Sequence, residues 1–565
     1  MASSNKDTDS MTEQQPTDIR KLVQTPATTA YRIASAADID WHGETDVAVI
    51  GYGAAGACAA LEAGAQGVQV TVLERLNGGG ASALSGGVIY AGGGTELQRQ
   101  AEVKDSIDNM IDYLRLETAG VIPEHTLRDF CRQSIANLEW LQQHGVPFDS
   151  TSYDEKTSYP PNGYFLYYSG NEVVYPYNSK AAPARRGHRV KGEGFTGRIL
   201  FRSLNQAALR RNNIQIQCHC EARRLIVDRH NRVLGVEYLQ APINAPVRGL
   251  MVLINSLANK FAVLEPSTGT LIRKLVHLLR RCGTVRRLRV NNGVILSAGG
   301  FIYNRRLLAQ LAPAYKPARP LGEDCIGLGI CLGVGAGAQV EHMEKVSAWR
   351  FYAPPNCVLK GIIVNEKGQR ICNEDLYGAT AADRVLADNG ERAYLILDKT
   401  MMANARSEAR FSNMALFQWA PAQLFFSLSS TRGATLRQLA DKCQIDATEL
   451  QRTVDDYNND ANNGRDKLGK AAEFLQAIDQ GPFYALDISL QNRRVPCFAI
   501  TLGGLQVDQS TGAVLDTQNS PIDGLYAAGR NAVGVCSNAY VSGLSLADCV
   551  FSGRRAGRNA ALASQ

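Results

Sequence analysis

The first apolar run of the chain leads straight into a glycine-rich turn. Asp46-Val-Ala-Val-Ile50 predicts a short buried strand, and it is followed by Gly51-Tyr-Gly53-Ala-Ala-Gly56 and a helical stretch through Ala65. A second apolar strand, from Val68 to Leu73, ends at Glu74. Strand, turn, helix, second strand and terminal acid together form the complete dinucleotide-binding fingerprint.

Each residue of this motif has a physical reason to be there. Gly51 permits the tight turn, Gly53 lets the backbone approach a pyrophosphate, and Gly56 lets the helix pack closely on the strand. The N-terminus of the helix offers free N–H groups to a phosphate. Glu74 has the spacing at which a carboxylate accepts hydrogen bonds from ribose hydroxyls.

Three further glycine-rich segments favour FAD over NAD. They are Gly78–Gly87, Gly293–Gly300, which is itself a strand that ends in small residues, and Gly524–Arg530 near the C-terminus. A long, extended cofactor needs several such close backbone approaches from distant parts of one sheet. The predicted cofactor-binding residues are Gly51, Gly53, Ala55, Gly56, Glu74, Arg75, Ala81, Ser82, Gly86, Gly87, Gly300, Gly529, Arg530, Ser545 and Leu546.

Taken together, these segments resemble the flavoprotein family of fumarate reductases and ketosteroid dehydrogenases, over roughly residues 44–560. The resemblance implies an α/β fold: a Rossmann-like FAD-binding domain (44–340 and 496–565) with a smaller α+β cap (341–495). The substrate is then expected between cap and flavin.

Some relatives attach FAD through a histidine after the first glycine-rich loop. Residues 43–124 contain no histidine, so we expect non-covalent FAD.

The fumarate reductases of this family hold a dicarboxylate with an arginine that follows an Arg-x-x-Asn-Glu stretch. Here that stretch is Arg370-Ile-Cys-Asn373-Glu374, and Tyr377 and Gly378 stand where the arginine is expected. Without this arginine the site is poorly suited to a dianion. The missing arginine therefore argues against a fumarate-type reductase of another unsaturated substrate. A membrane-attached flavoprotein subunit with a role in binding or electron relay is the third hypothesis, and the catalytic-type tyrosines described next argue against it.

Several segments instead resemble 3-oxo-5α-steroid 4-dehydrogenases, which introduce a C4–C5 double bond into the steroid A-ring. These segments are Gly92–Gln98, Ala181–His188, Asn373–Tyr377, Thr501–Gly504 and Asn538–Ser545. The resemblance implies Tyr377, Tyr540 and Ser542 as catalytic residues. Δ1-Dehydrogenases remain the alternative, although Val541-Ser542 replaces their typical Pro-Gly.

The chemistry needs residues of these types. The reaction removes a proton alpha to a ketone and a hydride from the beta carbon, which passes to flavin N5. A neutral hydrogen-bond donor at the carbonyl oxygen stabilises the developing enolate. We expect Tyr540 and an amide near Gly543 to Ser545 to be that donor, and Tyr377 with Ser542 to accept the proton, although the two tyrosines could exchange roles. A tyrosine base would need a lowered pKa.

Residues 241–290 form an unusual basic insertion between two predicted strands. They contain nine Lys or Arg and one acid, a charge of +8, whereas the whole chain carries only +6. An apolar stretch from Leu250 to Leu264 is too short to span a bilayer. In the next stretch, Leu271, Ile272, Leu275, Val276, Leu278 and Leu279 fall on one side of a helical wheel and Arg273, Lys274, His277, Arg280 and Arg281 on the other.

This pattern favours an interfacial helical hairpin that attaches the protein peripherally to a membrane, since a core has no evident use for the cationic side of the second helix. The alternative is a helix pair packed on its own core. Because basic charge is confined to this segment, nucleic-acid binding is not indicated.

The rest of the composition adds little chemistry. Residues 1–40 are polar and are expected to form a mostly disordered leader. Thirteen cysteines without framework spacing, and no secretory signal, favour a cytoplasmic protein, and peripheral attachment to the inner face of the cell membrane stays open as an alternative. No metal site is expected. The expected partners are a steroid substrate and an external electron acceptor that the sequence does not identify.

Overall fold

A computed structural model describes residues 19–23, 25, 27–242, 245–264, 266–350, 352–387, 392–410 and 416–563. Within these ranges the strands are β1 (Tyr31–Arg32), β2 (Gly43–Ile50), β3 (Val70–Glu74), β4 (Val88–Tyr90), β5 (Leu166–Tyr167), β6 (Gly187–Arg189), β7 (Ile214–Cys218), β8 (Cys220–Val227), β9 (Val233–Gln240), β10 (Thr284–Leu296), β11 (Arg319–Pro320), β12 (Val340–Glu341), β13 (Val346–Trp349), β14 (Ile362–Asn365), β15 (Ala393–Leu397), β16 (Ser430–Gly433), β17 (Phe483–Asp487), β18 (Phe498–Thr501), β19 (Gly504–Leu505), β20 (Ala513–Leu515) and β21 (Pro521–Ala527).

The α-helices of the same ranges are α1 (Ile19–Val23), α2 (Ala54–Ala65), α3 (Gly80–Leu84), α4 (Glu96–Gln100), α5 (Ile107–Thr118), α6 (Glu124–Arg132), α7 (Ser134–Gln143), α8 (Gly197–Leu209), α9 (Ala245–Leu264), α10 (Pro266–Arg281), α11 (Arg305–Leu311), α12 (Leu328–Gly335), α13 (Gly378–Ala387), α14 (Lys399–Glu408), α15 (Leu416–Leu428), α16 (Leu436–Cys443), α17 (Ala447–Asn462) and α18 (Leu544–Leu562).

The central sheet has the strand order β1-β8-β9-β10-β2-β3-β7, and β21 adds to β10 and carries β20. The strands β10, β2, β3 and β7 run parallel, so their carboxyl ends meet at one edge. Helices α2 and α18 pack together over this sheet. Side chains at Gly553 and Gly557 would collide with the backbone of α2, 2.5 Å from the Ala55 oxygen and 2.3 Å from the Ala59 oxygen.

The sheet begins earlier in the chain than the sequence suggested. Strand β1 pairs with β8 in the register Tyr31 to Ile226, and Ile33 and Ile39 are buried. The predicted disordered leader is therefore wrong for residues 27–40, because their apolar side chains complete the edge of the sheet. The part of that prediction that covers residues 1–18 lies outside the described residues.

A second, antiparallel sheet has the order β14-β15-β17-β16 and lies within residues 341–495. A short three-stranded sheet, β11-β18-β13, joins it to the rest of the molecule, because β13 leads into this region and β18 leads out of it. This connecting sheet brings Trp349, at the end of β13, beside the edge of the central sheet where the functional site lies.

The basic insertion forms two helices, α9 and α10, between β9 and β10. Their orientation differs from the expectation for the second helix. Arg273 and Arg280 are buried, whereas Leu271, Leu275 and Leu278 are exposed. The argument that no core needs the cationic side is therefore wrong, because buried carboxylates of the FAD-binding part face it. We call α9 and α10 the helical hairpin.

Candidate active site

A long cleft runs along the carboxyl edge of the central sheet, from the end of β3 to the start of α18. Gly51 sits at the head of the first turn with φ +97°, and a side chain there would meet the Ala298 Cα at 2.6 Å. At Gly53 the nearest protein atom to an added Cβ is the Ser82 Oγ, at 3.5 Å. Gly53 therefore leaves open space on the cleft side, as close approach of a ligand requires.

Glu74 is fixed in the cleft by backbone amides. Its carboxylate accepts hydrogen bonds from the Tyr52 N–H at 2.8 Å and from the Leu76 N–H at 2.6 Å. The Ser82 hydroxyl accepts a bond from the Ala54 N–H at 3.0 Å, at the first turn of α2. These bonds join the fingerprint to the second glycine-rich segment, so both are held in one place.

Most of the predicted cofactor residues line this cleft. They are Gly51, Gly53, Ala55, Glu74, Arg75, Ala81, Ser82, Arg530, Ser545 and Leu546. The other five are not among its lining residues. Each is tightly packed, since an added Cβ at Gly56, Gly86, Gly87, Gly300 or Gly529 would meet a neighbouring atom at 2.0, 2.6, 2.6, 2.2 or 2.9 Å, respectively.

The cleft suits FAD on two independent observations. The Arg530 side chain is buried in it, and its Nη1 has no hydrogen-bond partner within the described protein. A buried cationic donor without a partner is costly, so it requires an anionic or carbonyl ligand. Gly53 and the N-terminus of α2 provide the backbone cradle for a pyrophosphate.

A second cavity, of about 640 Å³, lies between the two parts of the molecule. Its lining includes Tyr377, Tyr352, Leu376 and Trp349, and Trp349 also lines the cofactor cleft. The two cavities therefore meet at this tryptophan. The volume lies within the range of about 300–1,000 Å³ that is usual for small-molecule sites.

Tyr540 stands at this junction. Its ring stacks on Trp349 with centroids 5.2 Å apart and planes inclined by 13°. Burial raises the pKa of Tyr540 to about 12 and raises that of Tyr377 well above its ordinary value. The lowered pKa expected for a tyrosine base is therefore not found. Both hydroxyls are neutral at pH 7 and suited to donate a hydrogen bond.

Ser542 has a different partner from the one we expected. Its hydroxyl lies 3.1 Å from the Tyr167 hydroxyl, and Ser169 bonds its backbone twice: the Ser542 N–H donates to the Ser169 oxygen at 3.1 Å, and the Ser169 hydroxyl donates to the Ser542 oxygen at 3.0 Å. The proposed pairing of Ser542 with Tyr377 is replaced by a pairing with Tyr167. Ser542 is also absent from the lining of both cavities, so it holds the loop that carries Tyr540.

Tyr377 is held by a buried polar chain. Its N–H donates to the Asn171 Oδ1 at 2.7 Å, and the Asn171 Nδ2 donates to the Glu117 carboxylate at 2.9 Å and to the Thr380 hydroxyl at 3.0 Å. Burial raises the pKa of Glu117 to about 7. A carboxyl that changes its charge near neutral pH thus lies behind Tyr377.

Sequence reasoning missed Trp349, Tyr167 and the Asn171–Glu117 pair as parts of the site. The local sequence around Tyr167 carries no signal, because its link to Ser542 joins residues far apart in the chain.

The Arg-x-x-Asn-Glu stretch has a structural role here. Arg370 forms a buried ion pair with Glu374 at 2.6 Å, and Lys470 approaches the same carboxylate at 2.9 Å.

Comparison with known proteins agrees with this geometry. Residues 46–546 match the FAD binding domain family. The chain is 35% identical over 526 residues to 3-oxo-5-alpha-steroid 4-dehydrogenase of Comamonas testosteroni, covering 90% of this chain and 97% of the relative. The structure of 3-ketosteroid-delta4-(5alpha)-dehydrogenase from Rhodococcus jostii RHA1, in complex with 4-androstene-3,17-dione, superposes with a TM-score of 0.77 at 30% identity, covering 94% and 99% of the two chains.

The open conformation of a flavocytochrome c3 fumarate reductase shares the fold, with a TM-score of 0.60 at 23% identity and coverage of 94% and 80%. The fold and the cleft thus define an FAD-binding flavoprotein. The predicted α/β fold with a Rossmann-like FAD-binding domain is confirmed. The chain belongs to the FAD binding domain family, in the group that includes 3-oxo-5α-steroid 4-dehydrogenase.

Proposed function

We propose that this protein is an FAD-dependent oxidoreductase that introduces a C4–C5 double bond into 3-oxo-5α-steroids. The observation that carries the proposal is the junction at Trp349. It joins a cleft suited to FAD with a cavity large enough for a steroid, and it places Tyr540 on one side and Tyr377 on the other. Both tyrosines stand at positions that match the catalytic pattern of this group.

When bound, FAD supplies the acceptor for the hydride that leaves C5. The neutral Tyr540 hydroxyl donates a hydrogen bond to the C3 carbonyl oxygen and stabilises enolate character there. The C4 proton then passes to the Tyr377 oxygen as the neutral Tyr377 hydroxyl gives up its own proton, for which the ionised Glu117 carboxylate is the buried base on that side. Ser542 and Tyr167 keep the Tyr540 loop in position. An external acceptor must then remove the two electrons.

Activity of the purified protein on three compounds tests this function. We expect turnover of 5α-androstane-3,17-dione with a dye acceptor, and no reduction of fumarate with a dye donor. Turnover of androst-4-ene-3,17-dione instead would favour a Δ1-dehydrogenase. Reduction of fumarate would favour a reductase and contradict the proposal.

We propose further that FAD is bound without a covalent bond. No histidine belongs to the lining of the cleft in the described part of the chain, in keeping with the histidine-free stretch 43–124. Acid or heat should release the flavin into the supernatant. Flavin that remains on the denatured chain would contradict this.

We also propose that the helical hairpin attaches a cytoplasmic protein peripherally to an anionic lipid surface. Eight apolar side chains of its outer face are between 41% and 62% exposed: Leu250, Val252, Leu253, Leu257, Phe261, Leu271, Leu275 and Leu278. Four exposed basic side chains accompany them, Arg248, Lys260, Lys274 and Arg281. Apolar area with flanking cations is suited to an anionic bilayer interface.

No helix in the described ranges has the length and apolar character to cross a bilayer. Attachment would therefore be interfacial, with each basic residue contributing about 1 kcal/mol near an anionic surface. A steroid dissolves in bilayers, so a docked enzyme would take its substrate from the lipid.

Vesicle sedimentation tests the attachment. We expect binding to phosphatidylglycerol vesicles that high salt weakens but does not abolish. Changing Leu253, Leu257 and Phe261 together to Ser should remove it. Leu209→Ser is the control, since this leucine of α8 is exposed to 65% and lies outside the hairpin. Binding that survives the triple change, or none by the unaltered protein, would contradict attachment through the hairpin.

A further inference from the structure

The inner face of the helical hairpin buries polar side chains beside apolar ones, although the hairpin is not needed to complete the sheet. Strands β9 and β10 already meet at its base, where Gln240 pairs with Thr284, so a short turn could join them. The inner face nevertheless buries two arginines, Arg273 and Arg280. Buried cations are tolerated only where partners compensate for their lost hydration. Arg273 donates to the Asn259 Oδ1 within the hairpin. The contacts of Arg280 and of three neighbouring polar side chains reach outside the hairpin and show which segments it holds.

One set of partners lies beside the end of β3. The Arg280 Nη2 donates to the Arg75 carbonyl oxygen at 2.8 Å, and its Nη1 contacts the Glu221 carboxylate at 2.5 Å. Leu76 packs in an apolar cluster with Met251 and Val276 of the hairpin. The hairpin thereby fixes the segment that follows Glu74, which we expect to bind the ribose.

A second set lies in the loop after β11, which itself contacts Arg75. The Asn255 and Asn259 amides both donate to the Glu323 Oε1, at 2.8 and 2.7 Å. The His277 Nε2 lies 3.0 Å from the Asp324 carboxylate, which also pairs with Arg75 at 3.2 Å. Burial raises the pKa of Glu323, and the hydrogen bonds from the two amides oppose that rise, so they stabilise the charged carboxylate.

Both partner sets are walls of the cofactor cleft, since Arg75, Leu76 and Glu323 line it. No hairpin residue is itself part of that lining among the described residues. The hairpin therefore contacts two wall segments of the cleft, at Arg75–Leu76 and at Glu323, without lining the cleft itself. Without it, the wall segments would be free to take other arrangements, and apparent affinity falls by the fraction of molecules that have the binding arrangement.

We propose that the helical hairpin is a brace that sets FAD affinity, with Asn255, Asn259 and Arg280 as positioning residues for the Glu74 end of the cleft. This role rests on FAD binding alone and is independent of the steroid substrate. It assigns the two faces of the hairpin different tasks: the inner face retains the cofactor, and the outer face is left for docking.

Titration of apoprotein with FAD, followed by flavin fluorescence, tests the brace. We expect Asn255→Ala with Asn259→Ala to raise the FAD dissociation constant about tenfold, because the buried Glu323 carboxyl loses both donors. With saturating FAD, kcat should stay within about twofold of the unaltered protein. Gly249→Ala is the control. Gly249 lies on the same helix as the two asparagines, and a Cβ there would meet no atom within 4 Å.

A second variant replaces residues 243–282 with Asn-Gly, a turn that suits a two-residue hairpin. If it folds, we expect it to lose FAD on gel filtration while circular dichroism shows an intact sheet domain. An FAD dissociation constant within about twofold of the unaltered protein in the double Asn variant would overturn the proposal, and so would an excised form that folds and keeps its FAD. A fall in kcat without loss of FAD affinity would also overturn it.

Discussion

Replacement of Tyr540 by Phe tests the hydroxyl that the proposed chemistry depends on most. The change removes one oxygen and keeps the ring, whose stacking on Trp349 at 5.2 Å should persist. The hydroxyl is neutral at pH 7, because burial raises its pKa to about 12, so the loss is that of a neutral donor. Removing one such donor to a developing oxyanion typically costs about 10²- to 10³-fold in kcat, or about 2.7–4 kcal/mol.

The assay is anaerobic reduction of the bound flavin by 5α-androstane-3,17-dione in a single turnover, followed at the flavin absorbance maximum. This measurement isolates the chemical step from reoxidation. We expect a slow reduction rate, with the FAD content and the steroid dissociation constant nearly unchanged. Tyr526→Phe, on β21 away from both cavities, is the matched control. A reduction rate within about threefold of the unaltered enzyme would remove Tyr540 from the mechanism.

Three further changes probe other parts of the site. Gly53→Val should give colourless protein, because its side chain fills the open space of the cradle; yellow protein would show that this space is not used. Tyr167→Phe and Ser542→Ala should each lower kcat about tenfold or less. The double variant should be no worse than either, since both changes remove the same hydrogen bond between the two hydroxyls. Additive losses in kcat would show that the two residues act independently. Burial raises the pKa of Glu117 to about 7, so kcat/KM should rise as the pH increases through 7 and Glu117 loses its proton. Glu117→Gln should abolish that rise. If the variant shows the same rise as the unaltered enzyme, Glu117 is not the group that causes it.

The nucleotide fingerprint could be read from the sequence because its parts are local. The strand, the glycines and Glu74 fall within 30 residues, and each glycine answers a steric demand of the turn or of close packing. Gly524–Arg530 and Gly293–Gly300 could be predicted for the same reason. Even so, sequence could not separate glycines that face the cleft, such as Gly53, from those that pack behind it, such as Gly300.

Contacts between distant segments could not be predicted. Tyr167 meets Ser542 only because β5 lies under the loop before α18, and Asn171 reaches Tyr377 across the two parts of the molecule. The helical wheel of α10 separated apolar from cationic positions, but the buried face cuts across that division: Val276 is buried beside Arg273 and Arg280, whereas Lys274 and Arg281 are exposed. The deciding groups, Glu323 and Asp324, lie about fifty residues further along the chain and become buried only in the fold.

The position of the new double bond tests the central claim most directly. The enzyme should be given 5α-androstane-3,17-dione carrying deuterium at C5, and separately at C1, with a dye acceptor. The account predicts a product unsaturated at C4–C5, loss of the C5 label and a primary isotope effect on flavin reduction from C5 alone. Retention of the C5 label with loss of deuterium from C1 would contradict it and identify a Δ1-dehydrogenase instead.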